Sequence, residues 1–423
     1  MKILNAYGRG RPDLVGEEDR EFLLTRLRAG RRDIWEANIG AHLLALLAVH
    51  EFAPGGRVVR DGIEAVVAVR NPDGGVPFIP DYAVFFGALG GLALAETGAD
   101  PLLLARIGEY LLQQQNAGGH WPYTERVTQD DVETAGAVIE TLRAIDPVRY
   151  RTALDRGGAY LAGMANPDGG FPTYVSGHPS EIVMTANVVN ALAPDWDTYS
   201  GILNPAVAFL LGAQQPDGTF ERSWSLSEAH AIRRVLHALH RVPDGELPRF
   251  RQGIDQVRDR AEAYLHQTQN LDGGQTAGDT SDPISTVHSL SALSVLDGPE
   301  TRERREQGLA HLLSRQRPDG GFTSKPDQVA PRPIPYNFPN MAGIYVLTAL
   351  GDLRRHGHLP GCPPSAAAPP SSRTAAADEA WPLSPASWGS TLRTGTTTSS
   401  SARDPRDACW PTGSARTRPS TSP

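Results

Sequence analysis

The sequence predicts an all-α protein built from about six helical hairpins, and three observations carry that prediction. A glycine-centred turn returns at a period near fifty residues, an amphipathic helical pattern precedes each turn, and a second, more apolar one follows it. The turns are "NPDGGVPF" (71–78), "NAGGHWPY" (116–123), "NPDGGFPTY" (166–174), "QPDGTF" (215–220), "NLDGGQT" (270–276) and "RPDGGF" (317–322). From Gly74 through Gly118, Gly169, Gly218 and Gly273 to Gly320 the spacings are 44, 51, 49, 55 and 47 residues, the regularity of a repeat architecture.

Each element has its own local reason. The helices before the turns, such as "DPLLLARIGEYLLQQQ" and "RREQGLAHLLSRQ", are apolar on one stripe only. The helices after them read "DYAVFFGALGGLALA", "DVETAGAVIETLRAI", "SEIVMTANVVNAL", "SEAHAIRRVLHAL", "DPISTVHSLSAL" and "NFPNMAGIYVLTAL", and an earlier "IWEANIGAHLLALLAV" opens the series. Ser, Asp or Asn stands near several starts, where a side-chain oxygen caps free backbone N–H groups. In the turns, proline presets φ and glycine accepts positive φ, so the chain reverses sharply. Such hairpins close into a ring with the more apolar helices inside; an open solenoid is the alternative, though no capping repeat with a polar outer face is evident.

Three segments follow: residues 1–30, the repeats at 31–358, and a tail at 359–423. The tail is rich in Ser, Thr, Pro and Ala without sustained period. It is expected to be disordered, because it cannot bury enough apolar surface to offset chain entropy.

The 423 residues contain 40% hydrophobic side chains, enough for a substantial core, and the formal charge of −8 gives no reason to expect nucleic acid. Cys362 and Cys409 are the only cysteines, which argues against a disulfide framework and a thiolate zinc site. The start, "MKILNAYGRGRPDL", lacks the apolar run of a signal peptide, so a cytoplasmic location is expected.

The segments "QQPDGTF", "SRQRPDGGF" and "MANPDGGF" resemble the Q-x-x-D-G-G/S-W/F repeats of the squalene–hopene cyclase and prenyltransferase β-subunit superfamily. That resemblance covers roughly residues 30–355 and implies an α/α toroid. The nearer likeness is to the catalytic domain of class II terpene cyclases, where a D-x-D-D-T-A motif opens an inner helix. Here "DDVETA" (130–135) opens such a helix before "NPDGGF". The resemblance implies an isomerase of isoprenoid and secondary metabolism that protonates an alkene or epoxide and lets the carbocation close rings. It requires no cofactor, allows Mg2+ where the substrate carries a diphosphate, and allows a second helical subunit closing the cavity and peripheral membrane contact. Laid residue by residue on the motif, Asp130, Thr134 and Ala135 match and Glu133 replaces the last Asp. The middle Asp, which carries the proton in the family, falls on Val132.

Protonating an alkene requires a neutral carboxylic acid, kept uncharged by burial or by a neighbouring carboxylate. Asp130, Asp131 and Glu133 are the candidates. If all three are helical, Asp130 and Glu133 share a face and Asp131 points elsewhere. That suggests Glu133 or Asp131 as the acid with Asp130 as its partner. The plain alternative is a set of N-terminal carboxylates complementing a helix dipole.

No metal site is expected. The class I pattern D-D-x-x-D/E fails at Thr134, and N/D-x-x-x-S/T-x-x-x-E fails at Val138. The zinc set of protein prenyltransferases finds Asp282 and His288 but no cysteine. Trp35, Tyr82, Phe86, His230, His288, Tyr336 and Phe338, with Phe85 and Tyr345, are candidates to line a substrate cavity, since aromatic faces stabilise cations. Other readings are a non-catalytic toroid that binds a hydrophobic ligand or partner, a prenyltransferase-like protein without the zinc cysteine, and a carbohydrate-active toroid using two carboxylates.

Overall fold

The computed structural model describes residues 1–29, 33–71, 73–77, 79, 82–276, 280–329, 335–336, 338 and 340–359, with only the backbone of 328–329 and 335–336. The predicted tail beyond residue 359 and the side chain of Tyr336 lie outside the described residues.

Four helices come first: α1 (Lys2–Gly8), α2 (Glu17–Ala29), α3 (Ile39–Phe52) and α4 (Arg57–Ala68). Helices α5 (Ala83–Thr97), α6 (Pro101–Gln113), α7 (Val132–Ile145), α8 (Arg151–Gly163), α9 (Ile182–Leu192) and α10 (Trp196–Gly212) follow. The series ends with α11 (Glu228–His240), α12 (Leu247–Gln267), α13 (Pro283–Leu293), α14 (Pro299–Arg315) and α15 (Met341–Arg355). One short antiparallel pair, Gln328–Val329 with Pro335–Tyr336, interrupts the last connection.

The odd-numbered helices from α5 to α15 form a closed ring: each packs on the next, and α15 packs back on α5. Helices α6, α8, α10, α12 and α14 lie outside them. The fold is therefore an α/α toroid and not an open solenoid. Helices α9 and α13 are buried on every side, which fits their lack of a charged face. The stretch expected to open the series, α3, packs against α1, α2 and α4 and builds a separate N-terminal layer. Its ends explain why: a four-residue link makes α3 and α4 neighbours, and Gly62 of α4 fits under Leu46 and His42 of α3.

The repeated turn is a docking device. Gly119, Gly169, Gly218 and Gly273 all have φ between +87 and +92 or, for Gly273, +82, while Gly118 does not. At these four a Cβ would stand 2.3–2.6 Å from a backbone carbonyl oxygen of the next outer helix: Arg156, Pro205, Arg260 and Gln307. The preceding glutamine fastens the same joint. Gln214 Nε2 donates to the carbonyls of Gly218 (3.1 Å) and Val257 (3.0 Å), and Gln269 Nε2 to those of Gly273 (2.8 Å) and Arg304 (2.9 Å). At Gly320 the glutamine reaches only its own turn, and among the described residues no outer helix follows. A groove of about 720 Å³ runs along α14 and the end of α15, lined by Leu309, Leu313 and Leu353 among others.

Candidate active site

All the inner helices begin at the end of the ring that carries the glycine turns, so their first residues crowd around one mouth. Helix α7 starts at Val132 and Asp131 is its N-cap. Asp131 is buried; its Oδ1 accepts the backbone N–H groups of Glu133 (2.9 Å) and Thr134 (3.3 Å), and its Oδ2 accepts the Thr134 hydroxyl (2.8 Å). Glu133 is on the first turn, where its side chain lines the central cavity and accepts no hydrogen bond from the described residues.

This difference sets the charge. Burial raises both carboxyls, but the three donors to Asp131 oppose the rise, and its pKa comes to about 6. Glu133 has burial, then the Asp131 charge, opposed by the Arg234 guanidinium across the cavity, and a smaller push from Glu181, and is raised to about 8. At neutral pH the charge of the pair sits on Asp131 and the proton on Glu133. Two turns further along α7, Glu140 shows the opposite solution. Burial pushes it up, but Arg234, Arg241 and Arg233 outweigh that and hold it below the usual value. Arg234 Nη2 is 2.6 Å from Glu140 Oε1, and Arg234 Nε donates to Asn187 Oδ1 at 2.5 Å. This ion layer floors the cavity.

Asp130 lies outside that arrangement. It precedes the helix, so the face it was expected to share with Glu133 does not exist. Its Oδ1 instead meets His120 Nε2 at 3.0 Å, and the His120 ring packs on Tyr160 of the outer helix α8. The charge that raises Glu133 most is that of Asp131. Val132 is fully buried in the core and does not line the cavity. Asp130→Asn is therefore expected to keep turnover within about tenfold of wild type; a kcat loss as large as that of a Glu133 variant would place Asp130 in the chemistry.

The central cavity beside Glu133 has a volume of about 30 Å³, room for a water, and is lined also by Phe85, His230, Arg233 and Tyr345. His230 is held neutral by burial and the nearby Arg233 and Arg234, with a pKa of about 3. His288 lies behind it, fully buried, 4.8 Å ring to ring. Above the cavity stands an aromatic collar. Tyr82 packs on Phe85 (5.4 Å), Phe86 (5.7 Å), Tyr123 (4.7 Å) and Phe338 (5.4 Å). Beyond the collar, a pocket of about 460 Å³ opens between the ring and the N-terminal layer, lined by Trp35, Tyr82, Tyr123, Tyr174, Trp224 and Phe22 among others.

Of the predicted residues, Glu133 and His230 thus meet in the cavity, Tyr82, Phe86 and Phe338 in the collar, and Trp35 in the outer pocket. His288 backs the wall. Tyr123, Tyr174 and Trp224 were not singled out, yet each follows a glycine turn by four to six residues, a position that the ring directs to its mouth. The N-terminal layer is strapped on beside them: Glu36 accepts the N–H and hydroxyl of Thr128, both at 2.9 Å, and Tyr123 donates to its carbonyl. Glu36 and Ala37 hold positive φ of 50 and 47, a strain that this strap sustains.

The family description "Prenyltransferase alpha-alpha toroid domain" matches residues 137–330 and 257–355. Drimenyl diphosphate synthase from Streptantibioticus cattleyicolor is 41% identical over 364 residues, 83% of this chain and 68% of that protein. Drimenyl diphosphate synthase from Streptomyces showdoensis is 40% identical over 367 residues, covering 86% and 67%. The chain belongs to the prenyltransferase alpha-alpha toroid family, as a terpene cyclase. The solved structure of ent-copalyl diphosphate synthase from Streptomyces platensis shares the fold of this cyclase at a TM-score of 0.58, with 18% identity over 81% of this chain and 68% of that one. The cyclase acts on an isoprenoid. Among its described residues no helix is long and apolar enough to cross a membrane, and no three His, Cys, Asp or Glu side chains converge as metal ligands.

Proposed function

We propose that the protein cyclises a prenyl diphosphate by protonation, with Glu133 as the acid and Asp131 as its charged partner. The observation that carries this reading is the enclosed Glu133 carboxyl, which keeps its proton to about pH 8 and lines the cavity under an aromatic mouth. Glu133 gives its proton to a terminal alkene carbon, and the resulting cation closes rings as further double bonds attack it. A C–H proton is then lost and Glu133 is reprotonated, so the reaction is an isomerisation and the diphosphate stays attached. Tyr82, Phe86, Tyr123 and Trp224 supply the aromatic faces for the cation. Because the pocket beyond the collar holds about 460 Å³ and the ion layer closes the bore below Glu133, a substrate lies with its terminal alkene inward and its diphosphate toward the mouth.

The names of the two drimenyl diphosphate synthases point to a product that carries a diphosphate. Incubation with geranyl, farnesyl and geranylgeranyl diphosphates and squalene, followed by mass spectrometry, tests the reading: a cyclic product isobaric with one diphosphate supports it, and turnover of none refutes it. The acid is a carboxyl group, so the protonation itself needs no metal. Magnesium has its place at the substrate diphosphate, which parallel arms with and without it will read.

A further inference from the structure

Glu181 stands immediately before α9, yet its carboxylate does not cap that helix. It is clamped instead between two neighbouring rim segments. The Thr173 hydroxyl donates to Oε1, and Ser223 Oγ donates to Oε2 at 2.6 Å. Thr173 is also the meeting point of the rim: its carbonyl accepts the Val132 N–H at the start of α7 (3.0 Å), and its hydroxyl oxygen accepts Trp224 Nε1 (3.4 Å). One hydrogen-bonded chain thus joins the acid helix, Glu181 and a wall of the outer pocket.

We propose that Glu181 is a positioning residue of the cyclase: its clamped carboxylate is a fixed negative charge facing Asp131 and Glu133, and through Thr173 it holds Trp224 at the mouth. The proposal rests on the reading of Glu133 as the acid. Asp131 and Glu133 share one rim, and the two do not both ionise cheaply. Asp131 has three donors and Glu181 two, whereas Glu133 has none among the described residues. The charge of Glu181 raises both Asp131 and Glu133. The other groups facing Glu133 are Arg234, which opposes that rise, with Arg233 and neutral His230 on α11, Glu140 on α7, Phe85 on α5 and Tyr345 on α15.

The test is a titration. In the full chain carrying carboxyl-13C glutamate, the Glu133 resonance is assigned by its disappearance in Glu133→Gln and followed with pH in wild type, Glu181→Gln and Glu181→Asp. Glu181→Gln keeps the shape and an oxygen for one hydroxyl, the other hydroxyl turning to accept from the amide NH2, and removes the charge. The Glu133 midpoint should fall by about half a unit or more, and Glu181→Asp, which keeps the charge, should restore most of it. With farnesyl diphosphate as substrate, the alkaline limb of turnover should move to lower pH in the glutamine variant by the same amount. A residue that merely held the rim together would lower kcat at every pH and leave the midpoint in place. An unchanged midpoint in Glu181→Gln, or equal shifts in both variants, overturns the proposal. Full farnesyl diphosphate turnover by Glu133→Gln would instead remove the acid assignment, while the titration still judges Glu181.

Discussion

Glu133→Gln should cost turnover a factor of roughly 100 or more while leaving the protein folded and, toward alkaline pH, more heat-stable than wild type. The two halves of that result have one cause. An amide cannot supply the proton, so the cation is never formed. The same amide also relieves a burden on the fold. In the unfolded chain Glu133 ionises around its ordinary value of 4.5, but in the folded ring it holds its proton to about 8. Between those values the unfolded state has released a proton that the folded state retains, so wild-type stability falls as pH rises through the window. Glutamine does not titrate and removes the decline. Melting curves at pH 5 and pH 8 should show the gain over wild type growing with pH; a gain of equal size at both would mean that Glu133 does not titrate in that window. Wild-type turnover should likewise be present below pH 8 and be lost above it.

The largest effect on folding is expected from Gly218→Ala. Its φ is +92, and the new Cβ would stand 2.3 Å from the carbonyl oxygen of Arg260 and 2.8 Å from its carbonyl carbon. Neither atom can move without moving α12, whose backbone at Val257 is also bonded to Gln214. The cost should be on the order of 3 kcal/mol or more, combining backbone strain with a broken joint between neighbouring repeats. Gly320→Ala is the matched comparison. It has φ +82 in the same turn sequence, but the nearest atom to its Cβ is the flexible end of Gln316 at 3.9 Å. That substitution should cost only about 1 kcal/mol, the strain alone. Urea denaturation of the two variants distinguishes the causes: equal losses would show that conformation, and not the docking on the next outer helix, is what the glycines serve.

These two outcomes also mark how far the sequence could be read. The glycine period and the alternation of helix types are local signals, and both survive directly in the ring. The docking of each turn on the following helix is not local, so nothing around Gly218 announces Arg260. The acid shows the same limit at finer scale. The cluster at 130–133 was legible as a candidate, but its internal roles depend on where the helix begins. Because Asp131 caps and Val132 is the first helical residue, Glu133 turns inward and Asp130 turns out to His120. The floor beneath Glu133 depends on Arg234, a hundred residues further along the chain, and the outer pocket depends on α2 and the strap at Glu36. Helix α3 shows that an apolar pattern gives an element but not its neighbours: its period suits an inner helix, and a short link commits it to α4.

The central claim is that a carboxyl proton on the protein starts the reaction. Turnover of farnesyl diphosphate in D2O tests it most directly, because the acid exchanges with solvent before each cycle. The product should gain a single carbon-bound deuterium and retain its diphosphate, with no labelled product from Glu133→Gln. A cyclic product that forms in D2O without carbon-bound deuterium, or that has lost its diphosphate, would contradict protonation by Glu133 as the first step.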